Sequence, residues 1–338
     1  MASPIDAFVA AAKAPGRILI CAHEKPDGDA LGSLGGLLRI LRDNGVEADA
    51  VVADEIPSMY ASFLPEGLLC SVSPESLKSY SRAILLDISN PKRLSVGPAL
   101  KFETFSIPTL CLDHHPDNNV ASTYSWVDPK ASSTSELALR LAEAASWRVG
   151  KEAATLLMMG LAADTGCFRF DNSSPTAFRA AAKLIELGAD FSRIVRDVYF
   201  SKPIGLASLE ADLLCNHLGQ AFEGRLAYFM LTPEILAKHA VQLRDTENVI
   251  DVLRALKGVE FAAILRPVAD GWKLSLRSKT PAFSAGRIAR RLEGGGHEMA
   301  AGGLIRAASA EDAIRILIEN VEIEFNEAQA RQASSSPL

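Results

Sequence analysis

The segment His23-Glu24-Lys25-Pro26-Asp27-Gly28-Asp29 sets one imidazole and the carboxylates of Asp27 and Asp29 directly behind the apolar run Arg17-Ile-Leu-Ile-Cys-Ala-His23. Acidic residues stand in the same position three more times. Asp87 follows Ala83 to Leu86, Asp113-His114-His115 follows Thr109 to Leu112, and Asp164 closes an apolar stretch from Ala153, ahead of Thr165-Gly166. Each has a plain structural reading by itself: Asp29 as a helix N-cap before Ala30-Leu31-Gly32, Asp27-Gly28 as a turn, Glu24 as a solvated loop charge. Four unrelated caps are the poorer account, because a buried carboxylate is costly unless paired or bound to metal. A shared pair of divalent cations explains all four. Mixed carboxylate and imidazole donors suit Mn²⁺ and related first-row ions, with Mg²⁺ or Co²⁺ as alternatives, better than the oxygen-only preference of Ca²⁺. Two such ions about 3.5–4 Å apart can clamp a phosphoryl group, so the chemistry indicated is hydrolysis of phosphate esters.

The elements that must position these groups alternate in type. Arg17 to His23, Ala50 to Ala53, Ala83 to Ile88, Thr109 to Leu112 and Ser122 to Val127 read as strands. Ala30 to Arg42, Ser135 to Ala145, Glu152 to Leu161 and Thr176 to Leu187 read as helices. This alternation predicts an α/β fold with a mostly parallel sheet flanked by helices, whose carboxyl-terminal edge carries the ligands. Phe191 to Leu218 reads as helical and connects two lobes. Beyond it the texture changes: Arg225 to Leu231 as a strand, Thr232-Pro233-Glu234 as a helix start, Glu247 to Leu256 as a helix, and strands Val259 to Pro267 and Trp272 to Ser278 around an Asp270-Gly271 turn. A smaller second α/β domain with a mixed sheet follows, and residues 328–338, rich in Ala, Gln and Ser, read as a frayed tail.

Composition excludes several classes. With 338 residues, 48% hydrophobic and 22% charged, the chain suits two globular domains rather than disorder. No apolar run reaches the ~18–20 residues of a membrane span, so no membrane partner is expected. Cys21, Cys70, Cys111, Cys167 and Cys215 are odd in number and form no C-x-x-C pair, which fits a reducing, cytoplasmic setting. The net charge of −6 argues against wrapping duplex DNA. A local basic site survives that argument. From Arg266 to Arg291 there are seven basic residues and a single acid, Asp270, leaving +6. Arg287, Arg290 and Arg291 also read as a solvated helix face, whereas Arg277-Ser278 ends a strand beside Gly294-Gly295-Gly296. That glycine run brings backbone N–H groups close to an anion, and a helix starting near His297 would add its positive end.

The set His23-x-x-x-Asp27-x-Asp29, the lone Asp87, Asp113-His114-His115 and Asp164-Thr-Gly resembles the four motifs of the DHH phosphoesterase family. Gly294-Gly-Gly-His297-Glu-Met-Ala-Ala-Gly302-Gly303 resembles the signature of the family's associated C-terminal domain. The order and size are most similar to the bacterial enzymes that degrade very short RNAs and dephosphorylate 3'-phosphoadenosine 5'-phosphate. The resemblance implies a catalytic domain at 1–190, a helical connector at 191–220 and a substrate-binding domain at 221–327, with the active site in the cleft between the domains. It implies that His23 and Asp27 bind one ion, that Asp29, His114 and Asp164 bind the other, and that Asp87 bridges both. His115 would stand by the scissile phosphate, Asp113 would orient it or add a ligand, and Arg277, Ser278, Gly295, Gly296 and His297 would hold the terminal nucleotide. A homodimer is implied by the resemblance alone.

The leading expectation is a Mn²⁺-dependent phosphodiesterase that hydrolyses short single-stranded oligoribonucleotides to mononucleotides and also acts on 3'-phosphoadenosine 5'-phosphate. Hydrolysis of cyclic or linear dinucleotide messengers, or of polyphosphate, is the alternative for the same centre. A non-catalytic RNA-binding module is the alternative of another class, and it predicts a degraded metal site, whereas every ligand type is present.

Overall fold

The computed structural model describes residues 4–280 and 282–335. The chain divides into two compact units between Ser201 and Lys202. In the first, strands β1 (Ile18–Cys21), β2 (Ala48–Val51), β3 (Arg82–Leu86), β4 (Thr109–Asp113) and β5 (Tyr124–Val127) form an all-parallel sheet in the order β2-β1-β3-β4-β5. Between their polar ends, Arg82, Thr109 and Asp113, its central strands are apolar because both faces are covered. Ile18, Ile20, Ile84, Leu86, Leu110 and Leu112 enter one core, and Leu19, Cys21, Ala83, Leu85 and Cys111 enter the other. The strands and helices read from the sequence are present, with ends shifted by a few residues.

The helices Gly28–Asp43 and Lys151–Asp164 cross on one face of the sheet at a distance only glycine permits. A Cβ on Gly32 would stand 2.6 Å from the Gly160 nitrogen, and one on Gly160 would stand 2.0 Å from Ser135 Oγ and 2.8 Å from Asp29 Oδ1. One helix opens and the other ends with an acidic residue of the ligand set, so this close crossing brings Asp29 and Asp164 together. The helix Pro4–Lys13, unread in the sequence, covers the same face. Phe8 and Ala12 are buried in its core, and Phe8 meets Trp126 edge to face at 6.1 Å.

In the second unit β6 (Gly219–Ala221), β7 (Leu226–Met230), β8 (Phe261–Val268), β9 (Gly271–Ser278), β10 (Gly295–Gly296) and β11 (Ala300–Ile305) form a mixed sheet, order β10-β11-β9-β8-β7-β6, in which β7 and β8 run parallel. The Asp270-Gly271 turn joins β8 to β9, with Val268 opposite Gly271. One face packs against the helices Ala285–Arg291 and Ala310–Ser335, the other against Ile204–Asn216 and Ile250–Arg254.

Two expectations differ from the structure. The helical segment 191–218 is broken: Phe191–Ile194 and a wide turn at Val195–Tyr199 belong to the first unit, and the helix resumes at Ile204 in the second. Pro203 sets the new start, since it has no N–H to continue the first helix and restricts the residue before it. The tail from Ala328 does not fray within the described residues. The last helix continues to Ser335, Ala328 is buried, and Arg331 pairs with Glu324 at 2.9 Å. Residues 336–338 lie outside the described residues. Among the described residues no helix is long and apolar enough to cross a membrane.

Gly160→Ala tests the crossing. A mid-helix alanine gains about 1 kcal/mol of propensity. Overpacking against hydrogen-bonded neighbours costs about 1–3 kcal/mol, and the added methyl presses on an Asp29 carboxylate that backbone donors hold in place. A lower melting temperature and weaker divalent-cation binding are expected. Calorimetry giving an equal or higher melting temperature would contradict this.

Candidate metal centre

Four loops at the carboxyl edge of the first sheet and the end of the helix Lys151–Asp164 supply the site. The N-cap of the helix Gly28–Asp43 is Asp27, not Asp29. Asp27 Oδ1 accepts from the Asp29 and Ala30 N–H groups at 3.1 and 3.0 Å, which leaves Oδ2 to face His23 Nε2 at 3.7 Å. Asp29, fully buried, reaches a distant partner: Oδ2 accepts from Thr134 N at 2.6 Å and Oδ1 from Ser135 N at 2.9 Å. These are orphan donors at the start of the helix Thr134–Ala144, whose positive end favours the carboxylate.

Asp87 sits just beyond β3 with φ of 59°, a left-handed conformation that asparagine and aspartate tolerate better than other residues with a Cβ. The turn aims its carboxylate two ways. Oδ2 lies 3.5 Å from His23 Nε2, while Oδ1 lies 3.6 Å from His114 Nε2, 3.5 Å from His115 Nδ1, and accepts from Thr134 Oγ1 at 3.0 Å. His114 Nε2 also stands 3.0 Å from Asp164 Oδ2 and 4.0 Å from Asp29 Oδ2. Within the first unit three donor groups emerge, His23–Asp27–Asp87, Asp29–His114–Asp164 and Asp87–Asp113–His115, each with one donor atom per residue within 4.8 Å of the others. Asp87 belongs to the first and third and touches the second through His114.

Asp113 is committed elsewhere. Its Oδ1 accepts from His114 N at 2.8 Å and from His115 Nδ1 at 2.7 Å, and its Oδ2 accepts from Asn118 Nδ2 at 2.6 Å. The arrangement fixes the His115 ring and turns its Nε2 away from Asp113.

The donor set fits divalent cations on its own chemistry. Four carboxylates converge in a largely dry space where like charges repel strongly. Burial, and then the charges of Asp87 and Asp164, push Asp29 well above the usual carboxylate range. Burial alone would lower His23, but hydrogen bonds to Asp27 and Asp87 overcome it and raise the imidazole to about 10. His114 is raised well above its ordinary value in the same way, the Asp164 contact overcoming burial. Protons thus supply the positive charge that cations would bring.

The second unit orders the other predicted residues around β9. Arg277 lies opposite Ala300 in the β9–β11 ladder, and Ser278 N donates to Met299 O at 3.0 Å. Gly295 and Gly296 form β10, and the Gly296 φ of 128° suits only glycine. No helix starts at His297: the chain turns through it into β11, so the expected helix end is replaced by a tight hairpin. The local +6 is also smaller than the sequence window implied. Arg287 pairs with Glu324 and Glu298, Arg290 with Glu298 and Arg291 with Glu327, acids that lie outside the window. Arg277 forms no ion pair among the described residues.

Thr134, Ser135 and Asn118 are functional neighbours that the sequence reading missed. The run Ser132-Ser133-Thr134-Ser135, polar yet wholly buried, was the available signal.

A parallel sheet that turns buried carboxylates and imidazoles from its carboxyl edge, followed by a second α/β unit with a mixed sheet, is the build of a metal-dependent phosphoesterase. Residues 17–161 match the model of the DHH family, N-terminal domain, and residues 225–322 match the DHHA1 domain. The chain belongs to the DHH phosphoesterase family. It is 30% identical over 315 residues to the bifunctional oligoribonuclease and PAP phosphatase NrnA of Thermus thermophilus, covering 93% of this chain and 91% of that one. It is 31% identical over 299 residues to a probable enzyme of the same name in Streptococcus mutans, covering 87% and 91%. An exopolyphosphatase-related protein from Bacteroides fragilis shares the fold, with a TM-score of 0.82 at 24% identity over 96% of this chain and 97% of that one.

The raised histidines predict a proton count. A ligating imidazole must be neutral, so protons compete with cations wherever the pH lies below the raised values, about 10 for His23. Cation binding should therefore release protons and tighten with rising pH, by about tenfold per pH unit for each proton displaced. Titration calorimetry in two buffers of different ionisation heat measures the release; an identical heat in both would contradict it.

Proposed function

We propose that this chain is a Mn²⁺-dependent phosphodiesterase that cleaves short single-stranded oligoribonucleotides to mononucleotides and also removes the 3'-phosphate of 3'-phosphoadenosine 5'-phosphate, in the cytoplasm. The observation that carries the reading is the pair of buried donor groups joined at Asp87. Relatives across most of the chain that bear both activities in their names support the substrate class.

In this reading His23 and Asp27 would hold one cation, Asp29, His114 and Asp164 a second, and Asp87 would contribute to both. Such ions supply charge stabilisation to a phosphoryl group and lower the pKa of water. The chain's own groups do the rest. Thr134, Ser135 and the Asp27 cap keep the carboxylates in place before any ligand arrives, which limits reorganisation during the reaction. Asp113, held by Asn118, keeps the proton on His115 Nδ1 and favours the imidazolium; despite burial, that contact raises the His115 pKa. His115 is then suited to give a proton to the leaving oxygen. In the second unit, Arg277 with Ser278 and the Gly295-Gly296-His297 turn take the terminal phosphate and nucleotide.

Substrate length follows from where positive charge is available. With Arg287, Arg290 and Arg291 tied to acids, Arg277 is the strand-end anchor left for one terminal phosphate. Further nucleotides gain little. Initial rates at subsaturating substrate on a ladder of unstructured RNA should fall from dinucleotide toward a 24-residue chain. Equal efficiency at both ends would contradict the short-substrate reading, and strong activity confined to a cyclic dinucleotide would favour the messenger alternative.

Arg277→Ala should separate capture from chemistry. Removing a contact made equally in ground and transition states raises KM and leaves kcat unchanged, so a roughly tenfold higher KM on a dinucleotide with full metal content is expected. Loss of metal, read by elemental analysis, would contradict this role.

A further inference from the structure

The second unit contains a buried carboxylate that the reaction does not use. Glu324, on the helix Ala310–Ser335, has no solvent exposure and is encircled by donors. Ser284 N donates to its Oε1 at 3.0 Å. Arg287 spans both oxygens, with Nη2 at 2.7 Å from Oε1 and Nε at 3.1 Å from Oε2, and Arg331 Nη2 donates to Oε1 at 2.9 Å. An isolated buried carboxylate would be costly, and four hydrogen bonds from three residues make this one a fixed point.

What it fixes leads toward the glycine turn. Ser284 caps the helix Ala285–Arg291, so Glu324 holds the cap's backbone while Ser284 Oγ accepts from Arg287 N at 2.9 Å. From the same helix Arg287 Nη1 reaches Glu298 Oε2 at 3.3 Å and Arg290 Nη2 reaches Glu298 Oε1 at 3.1 Å. The Glu298 carbonyl accepts from Ala285 N at 2.7 Å. A Cβ on Gly286 would meet the His297 carbonyl at 3.0 Å, so the turn lies directly on this helix. The chain of contacts therefore runs from Glu324, through the helix start and Arg287, to Glu298 and its neighbour His297, and Ser278 N bonds to Met299 O on the following residue.

We propose that Glu324 is the positioning residue of the second unit: through Ser284 and Arg287 it sets the Gly295–Glu298 turn, and so the affinity for the terminal nucleotide, without contact with substrate or metal. The inference rests on the reading of that turn as the nucleotide site. It also gives Arg287 a purpose other than phosphate binding, since a basic residue spent on a buried acid defines shape rather than charge.

The test uses the full-length, metal-loaded enzyme and a 5'-phosphorylated diadenylate. Glu324→Gln keeps size and removes the charge that Arg287 grips; KM should rise about tenfold while kcat stays within about twofold and bound metal is unchanged. Glu324→Asp, which retains the charge, should fall between the two. Glu298→Gln breaks the last link at a half-exposed side chain and keeps the test open should Glu324→Gln fail to fold; it too should raise KM alone. A folded Glu324→Gln, or Glu298→Gln, with wild-type KM beside an Arg277→Ala of raised KM overturns the positioning role. An Arg277→Ala of wild-type KM instead overturns the nucleotide-site reading, and this inference falls with it.

Discussion

Four carboxylates gathered at one edge of the sheet, Asp29 and Asp87 buried and Asp27 and Asp164 partly exposed, are the constraint on which the first unit depends. Two ionised carboxylates about 4 Å apart repel by about 4 kcal/mol at an effective dielectric of about 20, and crowding by Asp87 and Asp164 is part of what raises Asp29. Nothing in the hydrophobic core compensates for that. The compensation is local: backbone donors from Thr134 and Ser135 to Asp29, helix N–H groups to Asp27, the Thr134 hydroxyl to Asp87, and histidines whose pKa values are driven upward. The same repulsion makes the site suited to divalent charge, the chemistry of the family.

The fold is arranged to deliver these groups with little freedom. Parallel strands end in register at one edge, so Asp87 and Asp113 leave neighbouring strands β3 and β4 together. Gly32 and Gly160 let two helices approach until their acidic ends converge. In the second unit the reverse holds: three of the seven basic residues from Arg266 to Arg291, namely Arg287, Arg290 and Arg291, are taken up by Glu298, Glu324 and Glu327. In the function proposed above, specificity there would reside in a shaped glycine turn and the arginine beside it.

Much of this was legible in the sequence because a parallel sheet writes its ligands at the ends of apolar runs. The positions of His23, Asp87 and Asp113 needed only that rule, whereas Asp164 ends a helix and was marked by the apolar stretch before it. Less legible was which acid caps which helix: Asp29 looks like an N-cap, yet its partners lie 105 and 106 residues onward. Long-range pairing leaves no local pattern. The same holds for the second unit, where a count of charges from Arg266 to Arg291 overstated the positive field because the neutralising acids arrive from Glu298 and the last helix. The helix after His297 was misread because glycine runs precede hairpins as readily as helices. The tail was misread because one buried alanine and one ion pair suffice to hold it.

In the proposed function the two donor groups form one dinuclear centre sharing Asp87. Elemental analysis of the purified, Mn²⁺-loaded protein beside Asp87→Asn tests it most directly, since the substitution keeps the shape of the bridging residue and removes its charge. The account predicts two ions per chain in the wild type and loss of both, with activity, in the variant. Two ions retained with normal turnover, or a wild type that saturates at one, would contradict it.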